Sequence, residues 1–163
     1  MSTNFKTLAC ATAVAAMAST AHAQVITQRD VGVHMALAAA EAALTTCEKN
    51  GASVTVAVLD RAGRLRAFLQ GDTAMPHNIE LARRKAYTAL TFGRPTAEWA
   101  QRTADNPDLM PQRNLTDVIA SRGGLPLKIG NLTIGAIGVS GSSTTGDEAC
   151  AQAGVDKVAD QLK

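Results

Sequence analysis

The run from Arg122 to Gly141 constrains this chain more than any other stretch. Two apolar segments, Leu125 to Ile129 and Leu132 to Val139, flank Gly130-Asn131. That dipeptide supplies the positive φ that a two-residue hairpin turn requires, so the segments are expected to pair as antiparallel strands. In the second strand Ile134, Ala136 and Gly138 point one way, and Thr133, Gly135, Ile137 and Val139 the other. Neither face is polar, which puts this strand inside a sheet. Gly135 and Gly138 weaken a strand unless a second backbone or a ligand comes close, so either a helix seated tightly on the sheet or a ligand contact is expected there. Gly123-Gly124 and Gly141 bracket the hairpin with permissive corners.

The remaining elements follow from periodicity. Thr27-Gln28-Arg29-Asp30 reads as a capping-box-like start to a helix whose stripe is Val33, Leu37, Ala40, Leu44 and Cys47, ended by Asn50-Gly51. A second hairpin spans Ser53 to Gln70 around Asp60-Arg61-Ala62-Gly63, with Asp60 expected to bond its own turn backbone. Gly71 to Asn78 reads as loop, and Ile79, Ala82, Ala86 and Leu90 mark a helix ended at Gly93. Thr96 caps a shorter helix to about Thr103, Ala104 to Asn114 reads as loop, and Asp147-Glu148 opens a last helix striped by Ala151, Val155, Val158 and Leu162. Helix, hairpin, helices, hairpin, helix implies an α+β fold: an antiparallel sheet with helices on its faces.

Lys6, the small apolar run Leu8 to Thr20 and Ala21-His22-Ala23 together form a signal peptide with an A-x-A cleavage site, residues 1–23. Export to the periplasm or the medium is the expectation. The apolar run is short of the ~20 residues a membrane span needs, and Thr7-Leu8-Ala9-Cys10 is a poor lipobox. Residues 24–163 then fit one domain. The formal charge of +2 falls by one with Lys6, and the few scattered aromatics offer no stacking platform, so nucleic-acid binding is not expected. The leader also removes one of three cysteines. Cys47, ending the first helix, and Cys150, beginning the last, would meet if those helices pack antiparallel. A Cys47–Cys150 disulfide is expected, with two free buried thiols as the alternative.

Gly123-Gly124-Leu125-Pro126, the run Gly135 to Gly141 and Asp147-Glu148-Ala149-Cys150 resemble the GlcG and HbpS type of haem-binding or haem-degrading domain. Val54 to Asp60 with Gly63, Lys85-Ala86-Tyr87-Thr88-Ala89 and Arg94-Pro95-Thr96 agree with it in the same order. The resemblance covers nearly all of the chain after its leader and implies a profilin-like fold, with the first and last helices on one side of the sheet. It also implies haem as the cofactor, while activity differs between members of one fold.

No nucleophile elbow, P-loop, HExxH or CxxC is present. After the leader the histidines are His34 and His77; His34 reads as a packing or exposed residue of the first helix. His77 follows Pro76 near a helix start, where an imidazole can ligate haem iron or move a proton, or simply lie exposed. Lys85 and Tyr87, two apart on a helix, face different ways. Lys85 beside Gly123-Gly124 would bind a propionate or another carboxylate, and Tyr87 would ligate iron or donate a hydrogen bond. Exposed lysine and half-buried tyrosine are the plainer alternatives. The functional expectation is therefore haem or tetrapyrrole binding. Two others stand beside it: an enzyme on a small carboxylate-bearing metabolite, using Lys85 as anchor and His77 or Tyr87 as acid or base, and a homo-oligomeric binding module.

Overall fold

The computed structural model describes residues 25–163, so the signal peptide expected at 1–23 lies outside the described residues. Strands β1 (Thr55–Asp60), β2 (Leu65–Gln70), β3 (Gly124–Ile129) and β4 (Leu132–Ser140) form one antiparallel sheet in the order β2-β1-β4-β3. The helices are α1 (Val33–Lys49), α2 (His77–Phe92), α3 (Thr96–Asp105) and α4 (Thr144–Lys157). The β3–β4 hairpin turns at Gly130, whose φ is 57°, with Ile129 opposite Leu132. As its two apolar faces require, β4 is a central strand, hydrogen-bonded to both β1 and β3.

Adjacent residues of β4 show which helix covers which face. A Cβ on Gly138 would collide with the carbonyl of Ala82 and the amide of Ala86, both in α2. On the other face Ile137 reaches Gly154 of α4, where a Cβ would lie 2.7 Å from both the Ile137 Cδ1 and the Ala39 carbonyl of α1. Helices α1 and α4 therefore share one side and α2 takes the other, the profilin-like arrangement. Val54, Val56, Val58, Ile137 and Val139 lie buried between the sheet and the α1–α4 pair.

Several details differ from the sequence reading. Helix α1 begins at Val33 after Gly32 without a side-chain cap, because Asp30 instead accepts the amides of Val31 and Arg61, both at 2.8 Å, and ties the leading segment to the β1–β2 turn. The buried stripe of α1 is Ala36, Ala39, Ala40, Ala43 and Cys47, leaving Val33 and Leu37 outward. Close approach to α4 selects small side chains over large ones. Helix α2 starts at His77, two residues earlier than the Ile79 periodicity indicates, since Pro76 already carries helical dihedrals. A 3-10 turn, Met110–Asn114, also stands in the expected loop, and another, Ala159–Leu162, follows α4.

Asp60 is fully buried and organises the β1–β2 turn as expected. It accepts the amides of Ala62 and Arg64, each at 2.9 Å, and the Arg64 Nε at 2.8 Å. Burial pushes its pKa up, but the bonds from Arg64 and Ala62 outweigh that and hold it below the ordinary 3.8. The carboxylate thus stabilises the fold above its unfolded pKa, and this contribution disappears as pH falls through the lower folded value. Asp60→Asn is expected to cost about 1–3 kcal/mol in urea unfolding at pH 7. The gap to wild type should narrow below pH ~4.

Cys47 and Cys150 form a disulfide with a Cα separation of 5.6 Å, closing 103 residues of sequence. Both are buried. In the chain-entropy model a loop of this length is worth up to ~4.7 kcal/mol. Without reductant, neither thiol should alkylate in the denatured protein, and Cys47→Ser with Cys150→Ser should lower the urea midpoint markedly.

Candidate functional site

Lys85 lies on the alanine face of α2 with Ala82, Ala86 and Ala89, all buried, and is itself 2% exposed. Its stem passes over Gly123, where a Cβ would sit 3.2 Å from Nζ, and Gly123 has the left-handed φ of +114°. Nζ donates to Asp147 Oδ2 at 2.7 Å and to the Val139 carbonyl at 2.9 Å. The other carboxylate oxygen of Asp147 accepts the Ser142 amide at 2.8 Å. One ion pair thus joins α2, the end of β4 and the first turn of α4.

This placement corrects the role expected of Lys85, because its ammonium already holds an internal carboxylate and does not wait for an external one. Gly123 and Gly124 are corrected too. Both are buried, and a Cβ on Gly124 would overlap the Lys85 carbonyl and lie 2.6 Å from the Thr96 γ-methyl. Their lack of side chains lets α2, the start of α3 and Asp147 of α4 approach this strand closely.

The ion pair lines a cavity of about 270 Å³ between the starts of α2 and α4, with His77, Asn78, Ser142 and Thr144 around it. His77 is the first residue of α2 and exposed, and its imidazole makes no hydrogen bond among the described residues. Asn78 is 4% exposed and accepts from Ser140 Oγ at 3.0 Å. Tyr87 is elsewhere. Ten residues along α2 from His77 amount to roughly 15 Å, and Tyr87, half-buried, lines a second cavity of about 320 Å³ with Arg61, Gly63 and Thr133. The structure therefore brings His77 and Lys85 together and leaves Tyr87 apart. His34 stands exposed on α1. Among the described residues no group of three or more His, Cys, Asp or Glu is placed to hold a metal ion.

Sequence reasoning missed Asn78, taken as loop, and Asp147, taken only as a helix opener. The available signal was a single cation inside the alanine stripe of α2, since a charge on a buried face needs a partner.

Residues 31–156 match the family described as haem degrading protein HbpS-like. The chain belongs to this family. Its fold superposes on a crystal structure of HbpS with a TM-score of 0.77 at 34% identity, over 82% of this chain and 93% of that one. A double mutant of Streptomyces reticuli HbpS gives 0.76 at 33% identity, over 88% and 97%. PduOC, crystallised as a complex with haem, shares the fold at 24% identity with a TM-score of 0.70, over 78% and 94%. No curated protein matches the sequence.

Truncating Lys85 to Met strands the Asp147 carboxylate in the interior and is expected to cost about 3–5 kcal/mol in denaturant unfolding. Lys85→Met combined with Asp147→Leu should recover much of that loss, because the remaining partner no longer carries a buried charge.

Proposed function

We propose that the protein is an exported haem-binding domain in which His77 ligates the iron. Membership of the HbpS-like family carries the reading. The residues present fit the group in part. The His77 imidazole is exposed and unpartnered among the described residues, and Met75 and Ile79 beside it in sequence are 60% and 44% exposed, giving apolar surface for a porphyrin. The adjoining cavity of about 270 Å³ is smaller than the ~300–1,000 Å³ of sites that enclose a ligand. It would therefore receive an edge of a macrocycle rather than swallow it.

Bound haem would supply an iron centre, and this chain's own part is to present the His77 imidazole and an apolar face to it. Binding is the proposal; degradation would require in addition an oxygen-activating pocket and a reductant. A reading as an enzyme of small carboxylic acids that used Lys85 as its anchor loses that anchor to Asp147. Export is supported by the leader sequence and by the Cys47–Cys150 bridge, which suits an oxidising compartment.

Titration of the haem-free protein with hemin should give a saturable Soret shift, and His77→Ala should remove it or change the iron's spin-state spectrum. An unchanged shift in His77→Ala overturns the ligand assignment; no shift in wild type overturns haem binding.

A further inference from the structure

We propose that the cavity between the β1–β2 turn, the last turns of α2 and Thr133 of β4 is a binding site for a free, hydroxylated monocarboxylic acid of sugar size. Arg61 takes the carboxylate, and Tyr87, Thr91 and Thr133 take the hydroxyl groups. The inference stands independently of haem.

Uncommitted polar groups carry it. The cavity measures about 320 Å³, a size that suits a small ligand. Arg61, Tyr87, Thr91 and Thr133 all line it, and none of these four side chains makes a hydrogen bond or an ion pair among the described residues. Arg61 bonds Asp30 through its backbone amide alone, at 2.8 Å. In the cavity beside His77, by contrast, Lys85 is taken by Asp147 and Asn78 by Ser140.

The acids near Arg61 are spent on other groups. Asp60 holds the amides of Ala62 and Arg64 and the Arg64 Nε. Asp30 holds the amides of Val31 and Arg61, and its second oxygen lies 3.9 Å from the Arg64 guanidinium. Both carboxylates therefore serve the turn and Arg64, and the Arg61 guanidinium is left for a carboxylate from outside, which its planar fork can hold by two parallel bonds.

The walls stand ready before any ligand arrives. The Tyr87 ring lies over Gly63, where a Cβ would be 3.5 Å from the Tyr87 Cε2 and 3.9 Å from a methyl of Leu90. Thr133 Oγ1 would lie 3.2 Å from a Cβ on Gly93, the residue that ends α2. Turn, helix end and strand are thus held against one another, so little further ordering opposes binding.

Charge selects the ligand. Among the described residues Arg61 is the one charged group on the wall. The last turn of α2, which supplies Leu90 and Thr91, carries no basic residue and presents the negative end of the helix dipole. One cation beside that end suits one negative charge and disfavours a dianion. Hydroxyl side chains both donate and accept, so three of them match the hydroxyl groups of a ligand rather than a second anionic group.

The test is ¹⁵N–¹H spectroscopy and calorimetric titration of the haem-free protein at fixed ionic strength with sodium D-glucuronate, D-glucose, sodium acetate and inorganic phosphate, each alone. Glucuronate should bind saturably and shift the amides of Ala62, Gly63, Thr91 and Thr133. Glucose lacks the carboxylate and acetate the hydroxyl groups, so each should bind at least about tenfold more weakly. Arg61→Gln should weaken glucuronate at least about tenfold, and Thr133→Val about threefold or more. Arg61 is exposed, so its variant should fold, and Trp99 emission checks both variants. If Thr133→Val does not fold, Arg61→Gln and the wild-type shift map decide. Absence of saturable glucuronate shifts at those amides, equal binding of glucose or acetate, unchanged affinity in folded Arg61→Gln, or tighter binding of phosphate overturns the assignment. Because no haem is present and His77 lies at the opposite end of α2, these outcomes leave the His77 reading to its own titration.

Discussion

Everything in this fold depends on how closely α2 lies on β4. At Gly138 and Gly124 the strands offer the helix no side chain at all, so the helix backbone rests directly on the sheet. Native interiors are packed to crystal-like density, and such a contact tolerates no added methyl group without displacement of the helix. The closeness also decides the chemistry. From a helix axis this near to the sheet, the Lys85 side chain spans the remaining distance to Val139 and Asp147 and no further. A cation that sequence alone would place at a surface becomes a strut between three elements.

The arrangement of elements was legible because local signals agreed with one another. Gly130-Asn131, the alternation of β4, the turn at Asp60 and the small residues before Asp147 each have a local physical cause, and each element formed where that cause lies. Local signals failed at α1, where Val33 and Leu37 looked like the core and alanines took it instead. Hydrophobicity ranks leucine above alanine, whereas the gap between α1 and α4 admits only the smaller residue. The site was less legible still. His77 and Lys85 could be singled out by type, but Asn78 and Asp147 acquire meaning only through contacts with Ser140 and Lys85, more than 60 positions away in each case.

Family membership and the cavity speak to different questions. The match over residues 31–156 and the likeness to HbpS account for the sheet order and the helix layers. They leave open which atoms meet a ligand, since one scaffold can present different side chains at the same opening. In this chain the opening combines the exposed His77 with the buried Lys85–Asp147 ion pair.

The bridge between Cys47 and Cys150 has a topological consequence for a cut chain. All four strands, α2, α3 and the first turns of α4 lie between its two ends in sequence, while most of α1, the second half of α4 and the 3-10 turn Ala159–Leu162 lie beyond them. A protease that cuts once in any intervening loop, such as the exposed stretch near Asn106 and Pro107, opens the ring but detaches nothing. Both pieces remain tethered at the shared end of α1 and α4, and the nicked molecule keeps its parts at the effective concentration of a single chain.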